Sequence, residues 1–171
     1  MSRPVKSEAM DYLSPLKIGH QAGQRELKLL SRVADTIEES SDHEQIIANL
    51  EEVMQFFNKE LYIHFRQEEI ALFPALISVI GREGVVSAML GEHQSIWKAI
   101  DLLSEQIDDF KTATGKNKNT IQSIKMLSRH IVGLLGAHIE KEDTMLLPLS
   151  EEVLPPGVLQ AVGEQIESLE P

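Results

Sequence analysis

The chain has 171 residues, of which 42% are hydrophobic and 25% charged, and its formal net charge at pH 7 is −11. That length and balance suit one soluble domain with its own core and exclude disordered and fibrous classes. No cysteine is present, which excludes disulfides, thiolate nucleophiles, cysteine-ligated zinc and iron–sulfur clusters, and the acidic balance argues against a nucleic-acid surface.

The first predicted helix follows Ser14-Pro15, an N-cap with a first-turn proline, and buries one face made of Leu16, His20, Gly23, Leu27, Leu30, Ala34 and Ile37. The second opens at Ser41 with Glu44 completing a capping box. Its face runs Leu50, Met54, Phe57, Leu61, His64 and Glu68, and Pro74 kinks or ends it. After a break at Gly81 to Gly84, the third carries Val86, Leu90, His93, Trp97, Ile100, Leu103, Ile107 and Phe110. A polar loop from Thr112 to Asn119, with the basic cluster Lys111, Lys116 and Lys118 in and beside it, leads into the fourth. There Ile121, Ile124, Ser128, Ile131, Leu135, His138, Glu142 and Met145 share a face that stops near Pro148. A short final helix follows Pro155-Pro156 and covers Val158 to Leu169.

The chain also repeats itself. LYIHFRQEEIALFPAL (61–76) aligns with LGAHIEKEDTMLLPLS (135–150), each with a His, an acid four residues on, a second acid beside it, and a Pro ten after the His. Upstream, His20-Gln21 with Leu29-Leu30 matches His93-Gln94 with Leu102-Leu103. Two helical hairpins with approximate twofold symmetry are expected. From His20 out to the loop is about 20 residues and back to His64 about 21, with about 19 each way between His93 and His138. The four histidines therefore return to one level. The predicted fold is all-α: an antiparallel up-down-up-down four-helix bundle over about residues 15–149, with a C-terminal extension over 150–171.

Residues four apart share a helix face one turn apart. His64 with Glu68 and His138 with Glu142 can thus reach one metal or two adjacent metals, and His20 and His93 add an imidazole each. A His on an apolar face is commonly only a hydrogen-bonded core residue. Six ionisable groups at one level of a core are different, because burying two carboxylates together without a cation costs several kcal/mol or forces protonation. The predicted metal set is His20, His64, Glu68, His93, His138 and Glu142. Imidazole with carboxylate and no sulfur suits iron, manganese or zinc, and iron is preferred because open positions admit dioxygen, nitric oxide or peroxide.

Other candidates carry less. His43 and His130 fall off these faces and are expected at the surface. Glu69 and Asp143 could hold a ligand imidazole through its second nitrogen, though solvation is the simpler expectation. Trp97 is expected to be a core aromatic, and Tyr62 has no spacing argument. Ferritin-like Glu-x-x-His is absent, since Leu61, Leu90 and Leu135 stand three residues before three of the histidines and Lys17 before the fourth. No HExxH or Gly-rich phosphate loop occurs.

This pattern resembles the hemerythrin-like, HHE cation-binding family from about Pro15 to Leu149, with every expected ligand position in order. The resemblance implies a non-haem di-iron site in which His20 and His64 hold one iron, His93 and His138 the other, and Glu68 and Glu142 bridge them. Oxygen-carrying members have a further His where Trp97 stands, and their final acid comes five rather than four residues after its His. The chain is thus more similar to the iron–sulfur-repair and sensor branches, although repair proteins commonly add a cysteine-bearing amino-terminal segment that is not seen here.

The function expected is binding or sensing of O2 or NO, or iron handling, by a pair of iron ions. An enzyme of oxidative or nitrosative stress defence, reducing peroxide or NO or repairing iron–sulfur clusters, is one alternative. A structural module pinned by zinc is another. A cytoplasmic protein is expected, because no apolar run resembles a signal peptide or a membrane span; neither nucleic acid nor membrane is a predicted partner, and no feature identifies a protein partner.

Overall fold

Every segment with helical spacing becomes helix in the computed structural model, which describes residues 11–112 and 117–169. Lys116 of the basic cluster, and the middle of the polar loop, lie outside the described residues.

Helix α1 spans Ser14–Thr36 with Pro15 in its first turn. Ser14 is its first helical residue rather than its cap. The Asp11 carboxylate instead accepts the Leu13 N–H at 3.2 Å, and the Asp11 carbonyl accepts the Ser14 N–H. Helix α2 (His43–Phe56) is capped by Asp42, whose side chain accepts the Gln45 N–H at 3.0 Å. The Ser41–Glu44 capping box expected from the sequence is not formed, because the Asp42 carboxylate sits one residue nearer the helix and suits the positive end of its dipole.

The chain stays helical from residue 43 to 80, through α3 (Tyr62–Gln67) and α4 (Phe73–Ile80), with π turns at Phe57–Leu61 and Glu68–Leu72. Gly81 and Gly84 then adopt φ of 81° and 88°, which only glycine tolerates easily, and turn the chain. Helix α5 covers Val85–Thr112 and α6 Lys118–Lys141. A third π turn, Glu142–Leu146, joins α6 to α7 (Leu147–Val153), and α8 (Pro156–Ser168) follows a bend at Leu154.

The helical run continues through both Pro74, expected to kink or end its helix, and Pro148, expected to stop the fourth. Phe73 N–H bonds the Glu68 carbonyl and Leu147 N–H bonds the Glu142 carbonyl, each five residues back. The next residue in each case is Pro74 or Pro148, which has no N–H to donate. The wider turn absorbs the ring that would strain a regular α ladder. The same extra residue rotates the face beyond it. Met145, expected to be buried, is 43% exposed, and Leu146 takes its place at 0%.

Helix α1 packs on α2 and α6, and α5 packs on α6 and α2. As numbers rise along α1 the partners' numbers fall: His20 meets Asp143, Asp35 meets Arg129 and Glu38 meets Lys125. Along α5, His93 meets Glu69 and Lys111 meets Glu51. The apolar interior divides in two. One cluster, including Leu30, Leu50, Phe57, Ile100, Leu103 and Ile131, fills the long part of the helical bundle. The other, including Leu16, Leu72, Phe73, Met89, Leu146 and Ile166, closes one end. Helix α8 belongs to this closure. Gln67 Nε2 donates to the Ile166 carbonyl at 3.1 Å, and Gly163 lies so close to Tyr12 that a Cβ there would sit 2.9 Å from the Tyr12 Cβ. All regular structure among the described residues is helical, and no helix among them is long and apolar enough to cross a membrane.

Candidate metal centre

Between the two apolar clusters lies a polar layer. His20 projects from α1, His64 from α3, His93 from α5 and His138 from α6, while Glu68 and Glu142 open the π turns that follow α3 and α6. All six are buried; both glutamates are 0% exposed and His64, at 7%, is the most accessible. The structure brings together every residue of the predicted set.

The two glutamates each face two ways. Glu68 places Oε1 3.0 Å from His64 Nε2 and Oε2 3.1 Å from His93 Nε2. Glu142 places Oε2 2.9 Å from His20 Nε2 and 3.9 Å from His64 Nε2, and Oε1 3.4 Å from His138 Nε2. Two groups result, His20–His64–Glu68–Glu142 and Glu68–His93–His138–Glu142, each with its ligand atoms within 4.8 Å of one another. Atoms bound at right angles to one cation at about 2.1 Å stand about 3 Å apart, so the spacing suits a cation in either group.

Direction supports the same fit. The Nε2 atoms of His20, His93 and His138 and all four oxygens of Glu68 and Glu142 are buried without a hydrogen-bond partner. They are near one another in distance but not aligned as donors to acceptors. Native interiors rarely leave such atoms unsatisfied, and a cation takes lone pairs where a hydrogen bond needs a proton on the line between them. The donor set, imidazole nitrogen with carboxylate oxygen, suits iron, manganese or zinc.

The outer nitrogens are held as well. His20 Nδ1 donates to Asp143 Oδ1 at 2.6 Å, His93 Nδ1 to Glu69 Oε1 at 2.7 Å, and His138 Nδ1 to Glu92 Oε2 at 2.9 Å. A carboxylate only accepts, so Nδ1 carries the hydrogen and Nε2 is aimed inward. Of the two expectations for Glu69 and Asp143, the imidazole partner rather than the simply solvated acid is what forms: both remain partly exposed, yet Glu69 reaches His93 and Asp143 reaches His20. Glu92 is the member that the sequence reading missed. Its place in the repeat is taken in the first copy by Gly19, so the repeat gave no signal for it. Lys141, paired with Glu92, completes this side.

Electrostatics follow the same lines. Burial drives the His64 imidazole toward its neutral form, yet the carboxylates of Glu68 and Glu142 outweigh it and hold its pKa up to about 10. His20 is likewise raised against burial by Glu142 and Asp143, and His93 by Glu68 and Glu69. Burial lifts Glu68, but His64 and His93 hold its carboxyl well below the usual range. With no cation, the imidazoles of His20, His64 and His93 therefore favour their protonated form.

Aromatic rings wall one half. Phe65 stacks on His93 at 3.7 Å between centroids and 9° between planes, with its edge toward His138 at 5.5 Å, and Phe73 covers His93 at 5.6 Å. Trp97 is a half-buried core aromatic that meets Phe65 edge-on at 5.7 Å, one ring removed from the imidazoles. His130 is exposed as expected. His43 is half-buried against Phe110, away from the polar layer.

Comparison with known proteins agrees with this geometry. The family model described as Hemerythrin HHE cation binding domain matches residues 14–150. An uncharacterized protein of Haemophilus influenzae is 21% identical over 150 residues, covering 87% of this chain and 84% of its own length.

Proposed function

Since the chain belongs to the Hemerythrin HHE cation binding domain family, we propose that it is a di-iron protein that binds or senses O2 or NO. In this reading His20 and His64 hold one iron, His93 and His138 the other, and Glu68 and Glu142 bridge the two. The observation that carries it is the division of each glutamate, one oxygen toward each histidine pair. The opposed numbering along α1 and α6, and along α5 and the 43–80 segment, supports an up-down-up-down arrangement of four antiparallel helices forming one domain. The lack of a membrane-crossing helix among the described residues is compatible with action in the cytoplasm.

The chain's own residues perform three tasks. Asp143, Glu69 and Glu92 fix the tautomer of three imidazoles, so that Nε2 and not Nδ1 is the nitrogen left to bind a cation. The two apolar clusters keep bulk water from the layer. Six protein ligands between two cations leave coordination positions free. Bound iron supplies redox chemistry and those open positions to a small diatomic ligand or a peroxide.

The test is iron content and optical or Mössbauer spectra of protein purified from its native host, followed by rapid mixing of the reduced protein with O2 or NO. Two irons per chain and a new adduct spectrum are expected. A redox-silent native metal, or a ferrous form inert to both gases, would overturn the reading.

A further inference from the structure

The twofold repeat makes the two halves of the polar layer comparable, and they differ at one pair of positions. Glu92 precedes His93, and Gly19 precedes His20, its counterpart. On the first side Glu92 accepts the His138 Nδ1–H. On the second, His64 is the counterpart of His138, and no carboxylate or other hydrogen-bond acceptor meets its Nδ1 among the described residues. A Cβ at position 19 would stand only 2.6 Å from that nitrogen. Glycine thus leaves the room that the ring occupies, and supplies no acceptor.

Packing diverges in the same sense. His93 and His138 lie behind Phe65 and Phe73. His64 instead borders an open cavity of about 230 Å³ between α1 and α3, whose walls include Pro15, Ile18, Gly19, Ala22 and Leu61. Of the six residues in the layer it is the most exposed.

We propose that the two cation positions are inequivalent: the His93–His138 position is the anchored one, and the His20–His64 position, opened by Gly19 onto the α1–α3 cavity, is the labile one that loads last and empties first. This rests on the two-cation reading above. A carboxylate behind an imidazole raises its basicity and restricts its ring, and losing such a partner weakens metal affinity by roughly 10–100-fold. One position has both imidazoles so held, the other has one. The cavity also has His64, and none of the other three histidines, in its wall.

The full chain, loaded with two equivalents of Zn2+, is mixed with excess chromogenic chelator, and release is followed with time. Two phases of equal amplitude are expected, their rates separated by roughly 10–100-fold. Gly19→Ala keeps its helix, since alanine is the better helix former, but displaces the His64 ring. It should retain one Zn2+ per chain, released at the slow rate. Glu92→Ala should bind two and speed the slow phase toward the fast one. Release of both ions in one phase from the parent protein, or a Gly19→Ala protein that holds two ions, overturns the inequivalence. If the parent protein never takes up a second ion, the two-cation reading itself fails. Circular dichroism of each variant separates loss of an ion from loss of the fold.

Discussion

Without a cation, the buried imidazoles of His20, His64 and His93, set beside Glu68 and Glu142, make the metal-free protein sensitive to pH in a defined direction. The imidazoles of His20, His64 and His93 are raised above their ordinary value, His64 to about 10. Groups of this kind contribute stability that is complete below the unfolded pKa of about 6.5 and is lost as pH climbs through the folded value. Glu68, held low, contributes stability that disappears as pH falls through its folded pKa. The melting temperature of the metal-free chain should therefore fall between pH 6.5 and 10, while the loaded chain, whose Nε2 protons are displaced, should stay level there; calorimetry of both forms checks this. Proton competition also predicts metal binding that weakens as pH falls through the raised pKa of these imidazoles, beginning near 10 at His64. Glu142→Gln should reduce a two-ion chain to one ion or none, read as the metal-to-protein ratio, because this carboxylate faces both positions. At this scale most of the layer was legible, since His64 to Glu68 and His138 to Glu142 carry a spacing that any helix turns into proximity. Glu92 was not, and Glu69 and Asp143 were legible only as one of two alternatives, imidazole partner or solvated acid. Their partners lie on other helices, so their role depends on how the helices are rotated against one another, which spacing within one helix does not encode.

Helix-level patterns were readable wherever the ladder is regular. All the face residues named for the first helix, from Leu16 to Ile37, are buried. Apart from the caps of α1 and α2, the misreadings fall at irregularities: Pro74 as a kink or end, Pro148 as a stop and Met145 as core all lie at π turns, which look like ordinary helix in sequence. Those turns start at Glu68 and Glu142 themselves, so the irregular geometry begins on the carboxylates that face both histidine pairs. Deleting Ile70 would restore α spacing, rotate the helix beyond it by about 100° and bring the Pro74 ring against the ladder, a change costing about 3 kcal/mol or more. A urea melt should show that loss, with Glu68 no longer facing both histidine pairs and the ion content reduced. At the opposite end of the same rod, Asp42→Ala removes the cap of α2 and should cost about 1 kcal/mol with the metal content unchanged.

At the scale of the molecule, the polar layer is closed by an end cluster to which α8 contributes Val162 and Ile166. The contact of Gly163 with Tyr12 makes this closure sensitive to a single methyl group. Gly163→Ala should lower stability by about 1–3 kcal/mol in a thermal melt, because backbone as well as side chain of Tyr12 blocks the added carbon. The sequence identified α8 as a helix but not its seat, since Gln67 and Ile166 meet across 99 residues and neither carries a mark of the other. The hydrogen bond between His20 and Asp143 spans 123 residues. At roughly 5–20 residues per second, a ribosome takes about 6–25 s to extend the chain from one to the other. During that interval His20 has no partner from the second hairpin. The two-sided chamber is therefore a late product of this domain's synthesis: until Glu142 is added the chain can offer a metal no more than His20, His64, Glu68, His93 and His138, and full loading must wait for that last carboxylate.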